Sequence, residues 1–488
     1  MLSLVIWKEL RGIIVSPKFV ATFVICSVLI LLSVIVGVHE YRIGVRQYEA
    51  ALRLTDQAMR TQASWMGLAT NAYRKPDPAQ IFVTGVNNDI GRMYDIGRLS
   101  GVKLKDSPYS DDPIFAFFRA LDLSFIVMVV LSLFAVLFTY DAINGEREGG
   151  TLQLTFANPL SRWVYITGKV FGAWLGLVIP LAIPVLIGIG LVAIQGIPLR
   201  VDMWERIVVF LGISLLYVTF FIVFGVMTSA LTRRSSVSFL LALVAWVAFV
   251  LVIPRLGVMA AGEIKAVPSV AEVEAQADAY AKDRWEKHQE ALTERCKERQ
   301  ASMAGMSEQE RIAYREANSD KWMNEDDAQR KQVQQEIEDY RLRLDEDLRN
   351  RTDEQQQLAF TLTRFSPASA YQLASMNVAG TDITLKRRYE QAMREYRMQF
   401  VQYVEKNAKE TGNTGGFRIT IDSDTGFKFS APRERGTLDL GGLPVFVAPQ
   451  LSIAGVMSAV VVDAGILALF SIMGFAVASI AFLRYDLR

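Results

Sequence analysis

The sequence predicts an all-α integral membrane protein with six transmembrane helices and a mainly helical extracytoplasmic domain carrying a small β-hairpin. Three observations predict it. Six stretches, at 19–38, 123–140, 170–199, 207–232, 235–254 and 464–483, contain no charged residue. At 1.5 Å per residue, about 20 residues cross the roughly 30 Å hydrocarbon core, where only a helix or a closed barrel satisfies its own backbone. The charge is also segregated: residues 255–449 carry 29 Lys/Arg and 33 Asp/Glu, although the 488-residue chain has a formal charge of only +1. Finally, that charged segment repeats apolar residues at helical spacing.

The chain begins with Leu2, Ile6, Leu10 and Ile13, which fall within about 80° on a helical wheel, with Lys8 and Arg11 opposite. Residues 1–18 therefore read as an amphipathic helix along the cytoplasmic interface, with Lys8, Glu9 and Arg11 on its polar side. The first apolar run is about 20 residues long and no small-residue cleavage site follows, so it reads as a retained helix rather than a signal peptide.

Six spans put both termini on one side. With that side cytoplasmic, Lys8, Arg11, Lys18, Arg147, Arg162, Lys169, Arg233, Arg234, Arg484 and Arg488 lie inside, against Arg200 and Arg206 in the one short outer loop. This fits the excess of cationic residues in cytoplasmic loops, although Arg42, Arg46 and Arg53 follow the first span closely. Spans 1–5 then occupy 19–254, with an extracytoplasmic loop at 39–113 and a cytoplasmic loop at 141–169. The domain at 255–449 is extracytoplasmic. The expected location is a bacterial plasma membrane, crossed several times.

The outer domain carries three apolar stripes. Trp285, Leu292, Cys296 and Met303 form one; Val333, Ile337, Tyr340, Leu344 and Leu348 a second; Tyr389, Met393, Tyr396, Phe400 and Tyr403 a third. They are expected to pack together as a bundle or long hairpin. Ser366-Pro367 reads as punctuation. Alternation around Asp424-Thr425-Gly426 predicts the hairpin. From Leu440 to Leu483 the one charge is Asp463. A single helix there would be about 50 Å long, so 450–488 reads as a re-entrant or outer segment followed by the sixth span, with Asp463 near the outer interface.

The balanced charge offers no basic stripe for nucleic acid. Cys26 and Cys296 suggest no disulfide, and His39 and His288 stand in no metal-ligand spacing. No catalytic site is expected. Arg119 and Asp122, three residues apart, can pair on one helix face. With Asp463 they are the charged residues near outer helix ends, as anchors or outer-interface contacts. The nearest approach to a phosphate-binding loop is Gly168-Lys169, where Trp163 replaces the required first glycine and Val170 the required Ser/Thr. Any ATP must be hydrolysed by another chain.

The most distinctive segment follows the second span: Asp141, Glu146, Arg147, Glu148, Gly150, Thr151 and Leu152, then Pro159, Ser161, Arg162, Gly168 and Lys169. As residues, these suit a short helix lying across the interface with a charged face toward a soluble partner. As a pattern they resemble the permease subunits of ABC type-2 transporters. Leu443, Pro444, Val445 and Phe446 before the last span, and the closing run from Phe482, add a resemblance to members with a large extracytoplasmic insertion between the fifth and sixth helices. The permeases of nitrous-oxide-reductase maturation and of gliding motility are related examples.

The resemblance implies the type-2 ABC exporter fold, a coupling helix after span two, a separate ATPase subunit binding ATP and Mg, and a second permease in a homodimer or heterodimer. It implies that Asp141, Glu146, Arg147, Glu148, Thr151, Pro159, Ser161 and Arg162 meet the ATPase. The expected function is ATP-driven export of an amphipathic cargo. The alternatives are a subunit that moves its outer domain against an extracytoplasmic protein partner without transport, and a passive scaffold.

Overall fold

The computed structural model describes residues 1–62, 65, 68–97, 104–105, 121–157, 159–411, 418–422, 426–430, 438–449, 451 and 453–484. The chain divides into two compact units, Met1–Val252 with Ser366–Arg488, and Ile253–Phe365.

In the first unit, helix α1 spans Leu2–Ile14. Ser16 then caps α2, Pro17–Arg60, accepting from the Phe19 amide at 3.2 Å, with Pro17 in the first turn, where its missing N–H costs nothing. α2 runs unbroken for 44 residues, about 66 Å. Helix α3 starts at Leu123–Phe125, widens into a π-helical stretch at Ile126–Leu131 and ends as Ser132–Thr139. The Tyr217 hydroxyl donates to the Met128 carbonyl at 2.9 Å in that stretch, and Trp246 Nε1 donates to Ser132 Oγ at 2.8 Å. Two short helices, α4 (Asn144–Glu148) and α5 (Thr151–Phe156), precede α6 (Arg162–Ile194), α7 (Val201–Leu231) and α8 (Ser235–Val247). The last helix in the chain, numbered α14 below, is Ile453–Leu483. Among the described residues, six helices are long and apolar enough to cross a membrane: Pro17–Arg60, Leu123–Glu148, Arg162–Ile194, Val201–Leu231, Ser235–Ile264 and Gly455–Leu483.

The core of this bundle runs along α7, which contacts α3, α6, α8 and α14. Tyr217, Phe221, Ile222 and Val226 on α7 are fully buried. Inside a bilayer such packing rests on close van der Waals contact and internal hydrogen bonds.

The second unit opens with α9, Ile253–Ile264, followed by α10, Val270–Ser302, and α11, Glu308–Thr363. Ser269 caps α10, and a reciprocal Ser307–Glu310 capping box starts α11. α10 and α11 run antiparallel. Tyr280 stacks on Tyr340 with centroids 4.0 Å apart, Arg284 pairs with Glu336, and Arg299 grips Asp326 at 2.8 and 3.1 Å. α9 lies beside α11, joined by Lys265 and Glu354 at 2.6 Å.

The three stripes do not share one bundle. Those at 285–303 and 333–348 form the α10–α11 hairpin. The third lies on α13, Thr384–Thr411, in the first unit. There Tyr389, Met393, Tyr396 and Phe400 cover Trp65, Ala72, Tyr94 and Ile96. Part of that cover is a sheet in which β1 (Thr70–Tyr73) pairs antiparallel with β2 (Met93–Ile96), and β2 with β3 (Leu104–Lys105). The alternating burial of β1 and β2 gives α13 a flat apolar partner within its own unit. Arg74 is buried beside it, donating to the Asn87 carbonyl at 2.6 Å. Burial and neighbouring Arg92 pull the Arg74 guanidinium down to about 10.

Ser366-Pro367 punctuates the chain as its residues suggest, starting a new helix where the first unit resumes. The Ser366 hydroxyl accepts from the Ala368 and Ser369 amides, Pro367 takes the first turn, and α12 runs Pro367–Ala379. α12 packs on α7 and α14, and Tyr371 stacks on Tyr217 with centroids 4.5 Å apart. α14 is one continuous helix, without a re-entrant break, because α12 gives its N-terminal part a protein surface to pack on. Asp463 on α14 is fully buried.

The described strands Arg418–Asp422 (β4) and Gly426–Ser430 (β5) pair antiparallel with Ile419 opposite Phe429, the hairpin the alternation predicts. The turn at 423–425 lies outside the described residues.

Candidate functional site: the segment between α3 and α6

α1 seats in a groove of glycines on α6. Gly168, Gly172 and Gly176 recur every four residues along one side of that helix. A Cβ at Gly168 would lie 2.6 Å from Val5 Cγ1, and one at Gly172 would lie 2.5 Å from Glu9 Cβ. Only glycine permits this approach. The Leu2–Ile13 stripe, expected to face lipid, is therefore turned largely toward protein: Leu2 and Ile13 touch the groove, and Ile13 is buried.

The close approach brings four charged side chains together. Lys169 on α6 is 4% exposed and donates to Glu9 Oε2 at 2.6 Å and Glu146 Oε1 at 2.9 Å. Lys8 reaches the same Glu146 oxygen at 2.7 Å, and the Tyr165 hydroxyl donates to Glu146 Oε2 at 2.7 Å. Two cations and two carboxylates make the cluster neutral. A buried lysine is tolerated only with such partners.

The rest of the segment is fastened as firmly. The Ile143 and Asn144 amides donate to Ser229 Oγ at 3.0 and 3.1 Å, and Asn144 Nδ2 donates to Thr232 Oγ1 at 2.8 Å. Glu148 accepts from both the amide and the hydroxyl of Ser235, each at 2.8 Å, at the start of α8. There it complements the helix's positive end. Asp141 lies 3.7 Å from Lys18. Thr151 donates to the Glu146 carbonyl at 3.2 Å, Ser161 caps α6 through the Val164 amide, and Arg162 donates to the Phe482 carbonyl at 3.1 Å and to that of Leu483. α4 and α5 are thus braced against α1, α6, α7 and α8.

This redistributes the residues singled out in the sequence. Glu146 points inward, as a shared ion-pair partner. Glu148 is exposed yet holds α8. Asp141, Ser161 and Arg162 fasten helices, Lys8 and Glu9 serve the cluster, and Arg11 and Pro159 are exposed. Asp122 is not on this segment; it caps α3, accepting from the Phe125 amide at 2.7 Å and the Thr84 amide at 2.8 Å. Burial pushes the Asp122 carboxyl up, against the pull of those hydrogen bonds. Arg119 lies outside the described residues.

Two further residues stand out. The signal of Lys169 in the sequence is a lone cation about two turns into an apolar helix. Leu154 is 70% exposed on α5, whereas Leu152 is buried. With Thr151 and Gln153 beside it, Leu154 makes an apolar point on a polar surface held rigid from behind.

A family model described as ABC-2 family transporter protein matches residues 3–487. The chain is 37% identical over 129 residues to the probable ABC transporter permease protein NosY of Stutzerimonas stutzeri, covering 25% of this chain and 45% of that protein. Its counterpart of the same description in Pseudomonas aeruginosa is 36% identical over 127 residues, covering 25% of this chain and 45% of that protein. The similarity thus spans less than half the length of either relative. The family match, by contrast, runs nearly end to end: this chain belongs to the ABC-2 transporter family, as a multi-pass permease-type membrane subunit.

Proposed function

We propose that this chain couples ATP hydrolysis by a separate nucleotide-binding subunit, which holds ATP and Mg, to export of an amphipathic cargo across a bacterial plasma membrane. The observation that carries the reading is the braced α4–α5 segment with Leu154 exposed. A force applied at Leu154 meets α1, α6, α7 and α8 together through Glu146, Asn144 and Glu148, so docking and closing of ATPase subunits would tilt the spans as rigid bodies. The termini and the α4–α5 segment are then cytoplasmic, and a second permease, identical or not, completes the transporter. The uncharged stretches that make up most of each span favour a lipid-like or peptide cargo over an ion. The test is reconstitution with the ATPase in vesicles. ATP-dependent movement of a labelled amphipathic lipid or peptide supports export; ATP hydrolysis without such movement opposes it.

One observation favours a second reading, transmission of motion without transport. α2 continues as a single helix from Ser16 to the β-sheet, where Thr55 hydrogen-bonds Tyr73 at 2.8 Å. Tilting α2 would move that sheet and α13. In the same vesicles, ATP-dependent change at a probe on α13 without flux would favour this reading.

A further inference from the structure

We propose that the free face of α1 seats the phosphate headgroup of an anionic phospholipid from the membrane this chain spans, between Lys8 and Arg11. The glycine groove of α6 occupies the opposite side of α1. What remains is Leu4, Trp7, Lys8, Arg11 and Val15, which fall within about 100° of one another around the helix. Leu4, Trp7 and Val15 are 66%, 64% and 73% exposed. With Lys8, Arg11, Gly12 and Ser16 they line an open groove of about 580 Å³.

Position and chemistry agree on the occupant. Only Val15 and Ser16 separate α1 from α2, whose apolar run begins at Phe19, so the groove sits at the level where that span enters the bilayer. An indole flanked by aliphatic side chains suits the boundary between acyl chains and headgroups. An exposed guanidinium and an ammonium on the same face complement a phosphate diester. A soluble partner would have to cover three large apolar side chains at that depth; a lipid covers them with its own acyl chains. Lys8 has three donor hydrogens and can hold a phosphate while keeping its 2.7 Å bond to Glu146. The headgroup and the α4–α5 segment would then share one cation, making the brace responsive to membrane charge. None of this depends on an ATPase partner.

The test is native mass spectrometry of the full chain taken from vesicles of equimolar phosphatidylglycerol and phosphatidylcholine. Wild type is expected to retain phosphatidylglycerol preferentially. Arg11→Gln is expected to lower that retention about fivefold, the size of one surface cation's contribution, while Arg311→Gln on α11 leaves it unchanged. If Arg11→Gln lowers the melting temperature, Trp7→Ala takes its place with the same expected loss. Equal retention of the two lipids by wild type, or undiminished phosphatidylglycerol on the α1 variants, would overturn the proposal and leave this face to a protein partner.

Discussion

Lys169 and Glu9 meet at 2.6 Å where α6 and α1 cross, with the lysine sealed from solvent and Glu146 held on its other side at 2.9 Å. One ammonium therefore ties the first helix of the chain to the loop between the second and third spans. Removing it leaves two half-buried carboxylates facing each other. Lys169→Met is expected to destabilise the first unit by about 3–5 kcal/mol, the usual cost of stripping one partner from a buried pair. Unfolding of the chain in mixed micelles measures this, and an unchanged midpoint would contradict it. By the same geometry, charge reversal at Glu146 is expected to disturb the fold as well as any partner's surface.

The glycine groove gives a paired comparison. Gly172→Ala places a methyl 2.5 Å from Glu9 Cβ, whereas Gly190→Ala on the same helix meets nothing within 4 Å. Overpacking of this kind costs about 1–3 kcal/mol. Hydrogen exchange of α1 amides is expected to quicken in the Gly172 variant and stay unchanged in the Gly190 variant. Equal behaviour of the two would mean that α1 does not depend on the groove.

Glu148 is exposed, and its role is local. Glu148→Gln keeps the shape but weakens the two bonds to Ser235 at the start of α8. Faster exchange confined to the first turn of α8 is the expected result, with global stability almost unchanged. Loss of the whole fold would show that more rests on this residue than those two bonds.

The α10–α11 hairpin should weaken in acid. Hydrogen bonding from Arg299 holds the Asp326 carboxyl below the usual carboxylate range, against a smaller opposing effect of burial. A depressed folded value stabilises the hairpin above the unfolded carboxylate's titration and loses that contribution as pH falls through the folded one. Cys296 is exposed and Cys26 buried, so a thiol probe reports selectively on the hairpin. Its thermal transition is expected to fall below about pH 4, and the fall should be shallower in Arg299→Gln. A slope that Arg299→Gln does not alter would assign the acid sensitivity elsewhere.

The membrane helices were legible because absence of charge over about 20 residues admits few other structures. The β4–β5 register was legible for a similar reason: period-two alternation allows one pairing face. Partner choice was not. The α13 stripe reads as helical on its own, but nothing local says that its apolar side meets a sheet formed by residues far earlier in the chain. Leu2, Ile6 and Ile13 likewise announce an amphipathic helix without saying whether lipid or glycine-lined protein receives it. Glu146 was read as a surface group because it sits in a polar loop, and its inward turn depends on Lys8 and Lys169, which come near only after α1 and α6 have packed.

We infer that a separate ATPase docks on the braced α4–α5 segment through Leu154. The direct measurement is purification of tagged wild type and Leu154→Asp from native membranes, with mass spectrometry of the companions and a melting curve of each chain. Wild type is expected to carry a soluble chain with a phosphate-binding loop. Leu154→Asp should lose it, consistent with about 2 kcal/mol or more from a central apolar contact, while melting unchanged. Equal recovery of that ATPase on both chains, or its reproducible absence from wild type, would contradict the claim.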